Sequence, residues 1–279
     1  MKKDFLFSIN RIYLLFFRGI KMDLNLSFDN DYMHNYHSST QIARVLTESW
    51  MERNMFCPRC GNYSIKHFKN NKPVADFYCH KCHNEYELKS KNGKIYGKVN
   101  DGAYETMIQR ITGYKNPDFL FMSYSKNELL VKDFIIVPKH FFTPEIIEKR
   151  KPLSMTARRA GWVGCNILID KIPEQGRISI ISQGIVSDIG DVVEKVNKSK
   201  QLEVKNINLR GWIMDILNCV NAIPTRVFTL NEMYYFEKML QLKHPQNNNI
   251  RAKIRQQLQF LRDAGFIVFC GNGKYEKII

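Results

Sequence analysis

The chain has 279 residues, 44% of them hydrophobic and 12% aromatic, enough to bury a core in one large or two modest domains. A formal net charge of +15 suits a polyanionic partner, nucleic acid first, and no basic amphipathic helix is long enough to favour an anionic membrane surface. Seven cysteines, four in two Cys-x-x-Cys pairs and the others (Cys165, Cys219, Cys270) scattered, argue against a disulfide framework and for metal ligation in a reducing compartment, the cytoplasm.

Residues 1–21 begin like a signal peptide, but Arg11 and Arg18 interrupt the apolar run and no small-residue cleavage site follows. The stretch is also too short and too charged to span a bilayer. It reads as an N-terminal extension, with Met22 the more natural beginning. A helix is predicted from Gln41 to about Asn54, with Ser38 and Gln41 at capping-box spacing and Ile42, Val45, Leu46 and Trp50 as its apolar stripe. A cysteine-rich segment, Cys57 to Lys91, follows. Asp101 to Ile111 reads as a second helix with Ala103, Met107, Ile108 and Ile111 on its apolar side.

Phe119–Tyr124 and Phe134–Val137 are nearly continuous apolar runs, as expected of strands buried on both faces. Cys165–Ile169 and Ile178–Ile181 are further strands. Helices mixed with buried strands argue for an α/β or α+β core. From Lys195 to Asn208 the pattern turns polar and marks a domain boundary, giving domains over 22–200 and 206–279. The remainder reads as helix Leu209–Val220, a second helix opened by Thr229 as N-cap with Glu232 three residues on, and a third helix from about Asn249 to Ala264. A strand Phe266–Phe269, a tight turn Gly271-Asn272-Gly273 and a return strand at Tyr275 complete the order of a winged helix.

Cys57 and Cys60, then eighteen residues, then Cys79 and Cys82 make a strong zinc signature. Four thiolates close a tetrahedral site and leave no open position, so the zinc is structural. His80 and His83 are neighbouring alternative ligands. Asp76 stands three residues before Cys79 and Glu87 five after Cys82, so a metal-fixed turn between two strands would make the carboxylates neighbours.

Asp76, then Glu87-Leu88-Lys89, is an aspartate followed by Glu-x-Lys. On a strand Glu87 and Lys89 share a face. Two carboxylates and a lysine can hold a hard divalent cation beside a phosphate, the arrangement of metal-dependent nucleases. In that reading Asp76, Glu87 and the Leu88 carbonyl bind Mg²⁺, and Lys89 orients water and stabilises phosphate charge. Glu48, on the preceding helix, would help position the metal or a lysine. The motif alone is also compatible with a solvated charged strand; Pro73, the net charge and the appended winged helix favour the nuclease.

PVADFYC and EYELKSK around this motif, NDGAY at Asn100–Tyr104, KPLSMTARRAGWVGCNI at Lys151–Ile167, RGW at Arg210–Trp212, ILNC at Ile216–Cys219 and IRQQLQFLRD at Ile254–Asp263 resemble the Dam-replacing family of methyl-directed type II restriction endonucleases. The similarity runs from about Met22 to the C-terminus. It implies a PD-(D/E)xK nuclease core with an inserted zinc knuckle, joined to a winged helix. It implies cleavage of double-stranded DNA at GATC bearing N6-methyladenine, with Asp76, Glu87 and Lys89 catalytic and the four cysteines on zinc. Here the proline is Pro73 and not the residue directly before Asp76. A monomer requiring neither ATP nor S-adenosylmethionine is expected.

On the third helix of the C-terminal domain, Ile250, Ile254, Leu258 and Leu261 recur at helical spacing and should face the core. Arg251, Lys253, Arg255, Gln256 and Gln259 then form the opposite face, either a solvated surface or a recognition helix whose arginines suit guanine and glutamines adenine. Lys274 and Lys277 on the wing would hold phosphates. A methylated adenine calls for apolar surface. Trp162, preceded by Arg158, Arg159 and the permissive Gly161, is either that surface or a core residue; Trp212 reads as core. The rival to an endonuclease is a zinc-stapled winged-helix regulator without catalysis, and a third reading is a related enzyme cutting another site, or RNA.

Overall fold

The computed structural model describes residues 24–29, 38–68, 75–113 and 116–278. The extension read over residues 1–21, Met22 and Pro73 lie outside them. Helix α1 (Ser39–Asn54) is followed by β1 (Lys66–His67), β2 (Phe77–Tyr78), β3 (Glu85–Asn92), β4 (Lys98–Ala103), α2 (Tyr104–Thr112), β5 (Asp118–Ser125), β6 (Leu130–Val137), β7 (Ile147–Lys149), β8 (Gly164–Leu168), β9 (Ile178–Ser182), β10 (Ile185–Val186) and α3 (Ile189–Ser199). The C-terminal part holds α4 (Ile207–Ala222), β11 (Val227–Thr229), α5 (Leu230–Tyr234), α6 (Glu237–Lys243), α7 (Ile250–Asp263), β12 (Ile267–Gly271) and β13 (Lys274–Lys277).

A seven-stranded sheet has the order β1-β2-β3-β5-β6-β9-β10. Its one parallel pair, β3 with β5, is crossed by β4 and α2. Along β5 the side chains alternate between two cores. Phe119 and Phe121 join the cluster beneath α2, the three-stranded sheet β4-β8-β7 and the C-terminal helices. Leu120, Met122 and Tyr124 join the cluster beneath α1, α3 and the cysteine-rich segment. Both faces are covered, which is why this strand reads as an unbroken apolar run.

The C-terminal domain is docked through the first of these cores. From α4, Arg210 donates to the carbonyls of Ile111 at 3.0 Å, Phe142 at 3.1 Å and Val204 at 3.2 Å. It thereby satisfies an orphan acceptor in the last turn of α2.

Four local expectations need correction. Asp101 to Ala103 are strand, not helix: Asp101 pairs with Cys165 and Ala103 with Gly164, so the β8 ladder takes their backbone groups and Gly102 gives the helix nothing to hold. Ser38 is the N-cap of α1 without a capping bond; its hydroxyl turns to Thr40 Oγ1 at 2.8 Å. The polar stretch Lys195–Asn208 is helical at both ends, because Val196 and Leu202 are buried anchors, leaving Glu203–Asn206 as the connection. The helix opened by Thr229 is two helices, α5 and α6, and β11 before it adds a third strand, giving a wing of order β11-β13-β12. The Thr229–Glu232 capping box is formed.

Candidate active site and metal centre

Each Cys-x-x-Cys arm folds the same way. Gly61 N–H donates to Cys57 O at 2.8 Å, and His83 N–H to Cys79 O at 2.9 Å. Each turn needs a left-handed residue: Gly61 (φ 71°) in the first and His83 (φ 58°) in the second. The two arms set Cys57 Sγ 3.5 Å from Cys82 Sγ and Cys60 Sγ 3.7 Å from Cys79 Sγ, with all four sulfurs within 4.8 Å of one another. A tetrahedral zinc with bonds of about 2.3 Å needs sulfurs about 3.8 Å apart, so the four cysteines fit it. A hydrogen bond from Cys57 brings the Cys82 thiol down to about 5. His80 and His83 are exposed on the same turn, and the four sulfurs complete the set without them.

The knuckle is clamped to the sheet. Arg59, between its first two cysteines, forms a two-pronged ion pair with Asp118 at the start of β5, at 2.7 and 2.9 Å. Asp118 also accepts from Asn84 Nδ2 at 2.8 Å and from Lys139 N–H at 2.8 Å.

On the opposite face of β3, Glu87 and Lys89 project together, aligned with Phe119 and Phe121 of β5. Glu87 Oε1 lies 2.5 Å from Lys89 Nζ. Asp76 stands just before β2. Its peptide N–H donates to Tyr86 O at 2.9 Å, and its carboxylate accepts the Leu88 N–H at 2.8 Å. Asp76 is therefore bonded to both residues that flank Glu87.

Two contacts at this site escaped sequence reasoning. Asp101, delivered by β4, pairs with Lys89, and Arg110, from α2, pairs with the other oxygen of Glu87. Burial works to lower the Lys89 pKa, but the Glu87 and Asp101 carboxylates outweigh it and hold the ammonium above its usual range. The signal for Asp101 was the Asn-Asp-Gly run, which suits a helix poorly; nothing in the sequence singles out Arg110. Glu48 binds Arg44 at 2.7 Å and lies 3.3 Å from His67 Nε2, so its partners are these groups and not a lysine.

Trp162 is half-buried, with the Arg159 guanidinium 4.7 Å over its ring. Arg158, Arg159 and Gly161 belong to the loop between β7 and β8, largely exposed from Lys151 onward. In the C-terminal domain, Ile250, Ile254, Leu258 and Leu261 are buried, leaving Arg251, Arg255, Gln256 and Gln259 exposed and Lys253 half-exposed. Arg251 pairs with Glu237 at 2.8 Å and Arg255 donates to Tyr234 Oη at 2.7 Å, so both are held in place on this face. Lys274 is exposed. Lys277, the other wing lysine, has its ammonium bonded to the Ile223 carbonyl. Trp212 is buried, stacked on His244 with ring centroids 3.7 Å apart.

A mixed α/β domain carrying a carboxylate–lysine cluster and a four-cysteine cluster, joined to a helix-turn-helix domain, is the make-up of a DNA-binding protein. The model of the Dam-replacing family (DpnI) matches residues 24–205, and that of the Dam-replacing HTH domain matches residues 208–277. The chain belongs to the Dam-replacing family, and membership implies a restriction endonuclease acting on DNA. Among the described residues no helix is long and apolar enough to cross a membrane.

Proposed function

We propose that this chain is a Mg²⁺-dependent type II endonuclease of the PD-(D/E)xK kind, hydrolysing double-stranded DNA at GATC when the adenine carries an N6-methyl group. Its working parts are a catalytic domain over 22–200 and a winged-helix reader over 206–279. The observation that carries the reading is Asp76 bonded to both neighbours of Glu87 while Glu87 and Lys89 meet at 2.5 Å.

The donor set is all oxygen, as a hard cation requires: the carboxylates of Asp76 and Glu87 with the Leu88 carbonyl. Mg²⁺ bound there supplies charge neutralisation and a more acidic water for phosphodiester hydrolysis. Lys89, held as an ammonium, orients the attacking water and stabilises charge on the phosphate. Asp76 fixes the β3 backbone at Leu88, so its carboxylate and that of Glu87 are presented from a rigid frame. The four-cysteine site holds structural zinc. Trp162 offers apolar surface to the methyl group, with Arg158 and Arg159 on phosphate or guanine. Arg251, Lys253, Arg255, Gln256 and Gln259 face the major groove and Lys274 a phosphate. The enzyme works as a monomer without ATP or S-adenosylmethionine.

The test is digestion of GATC-containing plasmid, with and without adenine methylation, in Mg²⁺. Only methylated plasmid should be cut, and Asp76→Ala should abolish cutting while DNA binding persists. A wild-type chain that binds the plasmid and never cuts it, with Asp76→Ala indistinguishable, would establish a regulator instead.

A further inference from the structure

Asp101 has no role in the mechanism above, yet its carboxylate is the second partner of the Lys89 ammonium and its side chain is only 7% exposed. It does not come from the sheet that carries Lys89. It comes from β4, where it stands opposite Cys165 of β8. Immediately before β8 is the basic loop that bears Trp162, and that loop is ordered by its own bonds. Leu153 N–H donates to Trp162 O at 2.9 Å and Gly161 N–H to Leu153 O at 3.1 Å. At the foot of the loop the Trp162 ring lies directly on Gly164, where an added β-carbon would come within 2.8 Å of the ring. Gly164 pairs with Ala103, two residues from Asp101, and Tyr104 N–H donates to Val163 O at 3.1 Å. The loop, β8, β4 and Asp101 thus form one hydrogen-bonded ladder that ends on Lys89.

We propose that Asp101 is a positioning residue for Lys89, and that the β4–β8 ladder makes the placement of the lysine depend on how the Trp162 loop seats on DNA. The inference rests on the nuclease reading and names a regulation of its site. Glu87, two residues away on the same strand, restrains the ammonium from one side only. The Asp101 oxygen, approaching from a different sheet, fixes the remaining direction. A displacement of about 1 Å in a reacting group can cost about 100-fold in rate, so a small movement of β4 suffices to separate a seated loop from an unseated one.

The experiment is single-turnover cleavage of a duplex with one methylated GATC site, with DNA affinity measured in Ca²⁺. Asp101→Asn should slow cleavage by about 100-fold with affinity and melting temperature near wild type, and Asp101→Glu, which keeps the carboxylate, should recover part of the rate. Gly164→Ala, whose β-carbon would press on the Trp162 ring at 2.8 Å and touch Arg150 at 3.5 Å, should slow cleavage by about tenfold, and in combination with Asp101→Asn should add nothing further, as coupled sites do. Trp162→Phe serves the same arm should Gly164→Ala not fold. Wild-type speed in Asp101→Asn, or a loss of rate matched by an equal loss of affinity, overturns the positioning role. Losses that multiply in the double variant overturn the coupling. The wild-type digest separates the levels: an inactive wild-type chain overturns the nuclease reading and this one with it, whereas an active one with an equally fast Asp101→Asn overturns only this one.

Discussion

The hydroxyl of Tyr86 donates to the sulfur of Cys57 at 3.0 Å, while the next residue, Glu87, turns through the other face of β3 to Lys89 and Arg110. Four-cysteine cluster and carboxylate cluster are therefore reached from neighbouring residues of one strand, on opposite sides of a sheet. Groups that hydrogen-bond a metal ligand orient it and tune the metal, and losing them costs about 10–100-fold in affinity. Tyr86→Phe should lose zinc more readily by about that factor, as read by competition with a chromophoric chelator. Stripping the zinc entirely should abolish cleavage, because the same knuckle carries β2 and with it Asp76. A stripped protein that still cuts at full rate in Mg²⁺ would contradict this.

The Arg59–Asp118 pair locks the knuckle to β5, with side chains 8% and 0% exposed. Removing one partner of such a pair costs about 3–5 kcal/mol, because the other charge stays buried and unpaired. Arg59→Ala should be destabilised by about that much in denaturant unfolding. Burial pushes the Asp118 carboxyl up, but Arg59, Lys139 N–H and Asn84 outweigh it and hold it below the usual aspartate range. A depressed carboxyl stabilises above the unfolded value of about 3.9 and loses that contribution as pH falls through the folded value. The contribution of Asp118 to wild-type stability should therefore persist down to about pH 4 and be lost below it, and Arg59→Ala, less stable throughout, should unfold at higher pH.

His140 titrates in a different window. It is 1% exposed, and burial, with Arg59 and Arg210 and against the pull of Asp118, pushes its imidazole down to about 3. Unfolded histidine takes up a proton near pH 6.5 or about that. Between those two values the unfolded chain binds more protons, so stability must fall as pH falls, by up to about 1.4 kcal/mol per pH unit. His140→Met should remove this slope between about pH 6.5 and 4 while leaving the Asp118 transition below it. Urea midpoints against pH for the two proteins would show an unchanged slope if the assignment is wrong.

If the exposed face of α7 reads DNA as proposed, side chains that touch bases and side chains that touch phosphates differ in their salt response. Gln259→Ala should cost about 1–3 kcal/mol on the preferred site and relax choice at one base pair. Lys274→Ala should weaken all sequences alike and lower the slope of log affinity against log salt by about 1. Titrations of site and non-site duplexes over a salt series distinguish them; identical behaviour of the two variants would mean that α7 is not the reading element.

Trp162→Ala tests the methyl contact. Both the cutting rate and the preference for methylated over unmethylated sites should fall. Survival of both would reassign Trp162 to packing against Gly164 alone.

How much was legible depended on the range of the interaction. The four-cysteine cluster was read from spacing, because each arm folds through bonds spanning four residues, Gly61 to Cys57 and His83 to Cys79. The apolar positions of α7 were read from periodicity, since one helical face is buried whatever covers it. Glu87 and Lys89 fall on one face by the alternation of a strand. Asp101 was misread because Ala103, Met107 and Ile111 keep a helical period across a boundary that the β8 ladder imposes from about 60 residues away. The bond of Lys277 to the Ile223 carbonyl, 54 residues back, has no signal in the local sequence.

By itself, the sequence determined the local chemistry: which cysteines cluster in a metal-ligand set, which pair of charges shares a strand face, which helix has a polar side, and the family to which the chain belongs. Only the tertiary structure decided which groups meet, namely Asp101 with Lys89, Arg110 with Glu87, Arg59 with Asp118 and Arg210 with the end of α2. The reason is physical. Local pattern follows from backbone geometry over a few residues, whereas these ion pairs and hydrogen bonds join segments brought together when two sheets and a second domain pack around shared cores, and no periodicity in the chain encodes that packing.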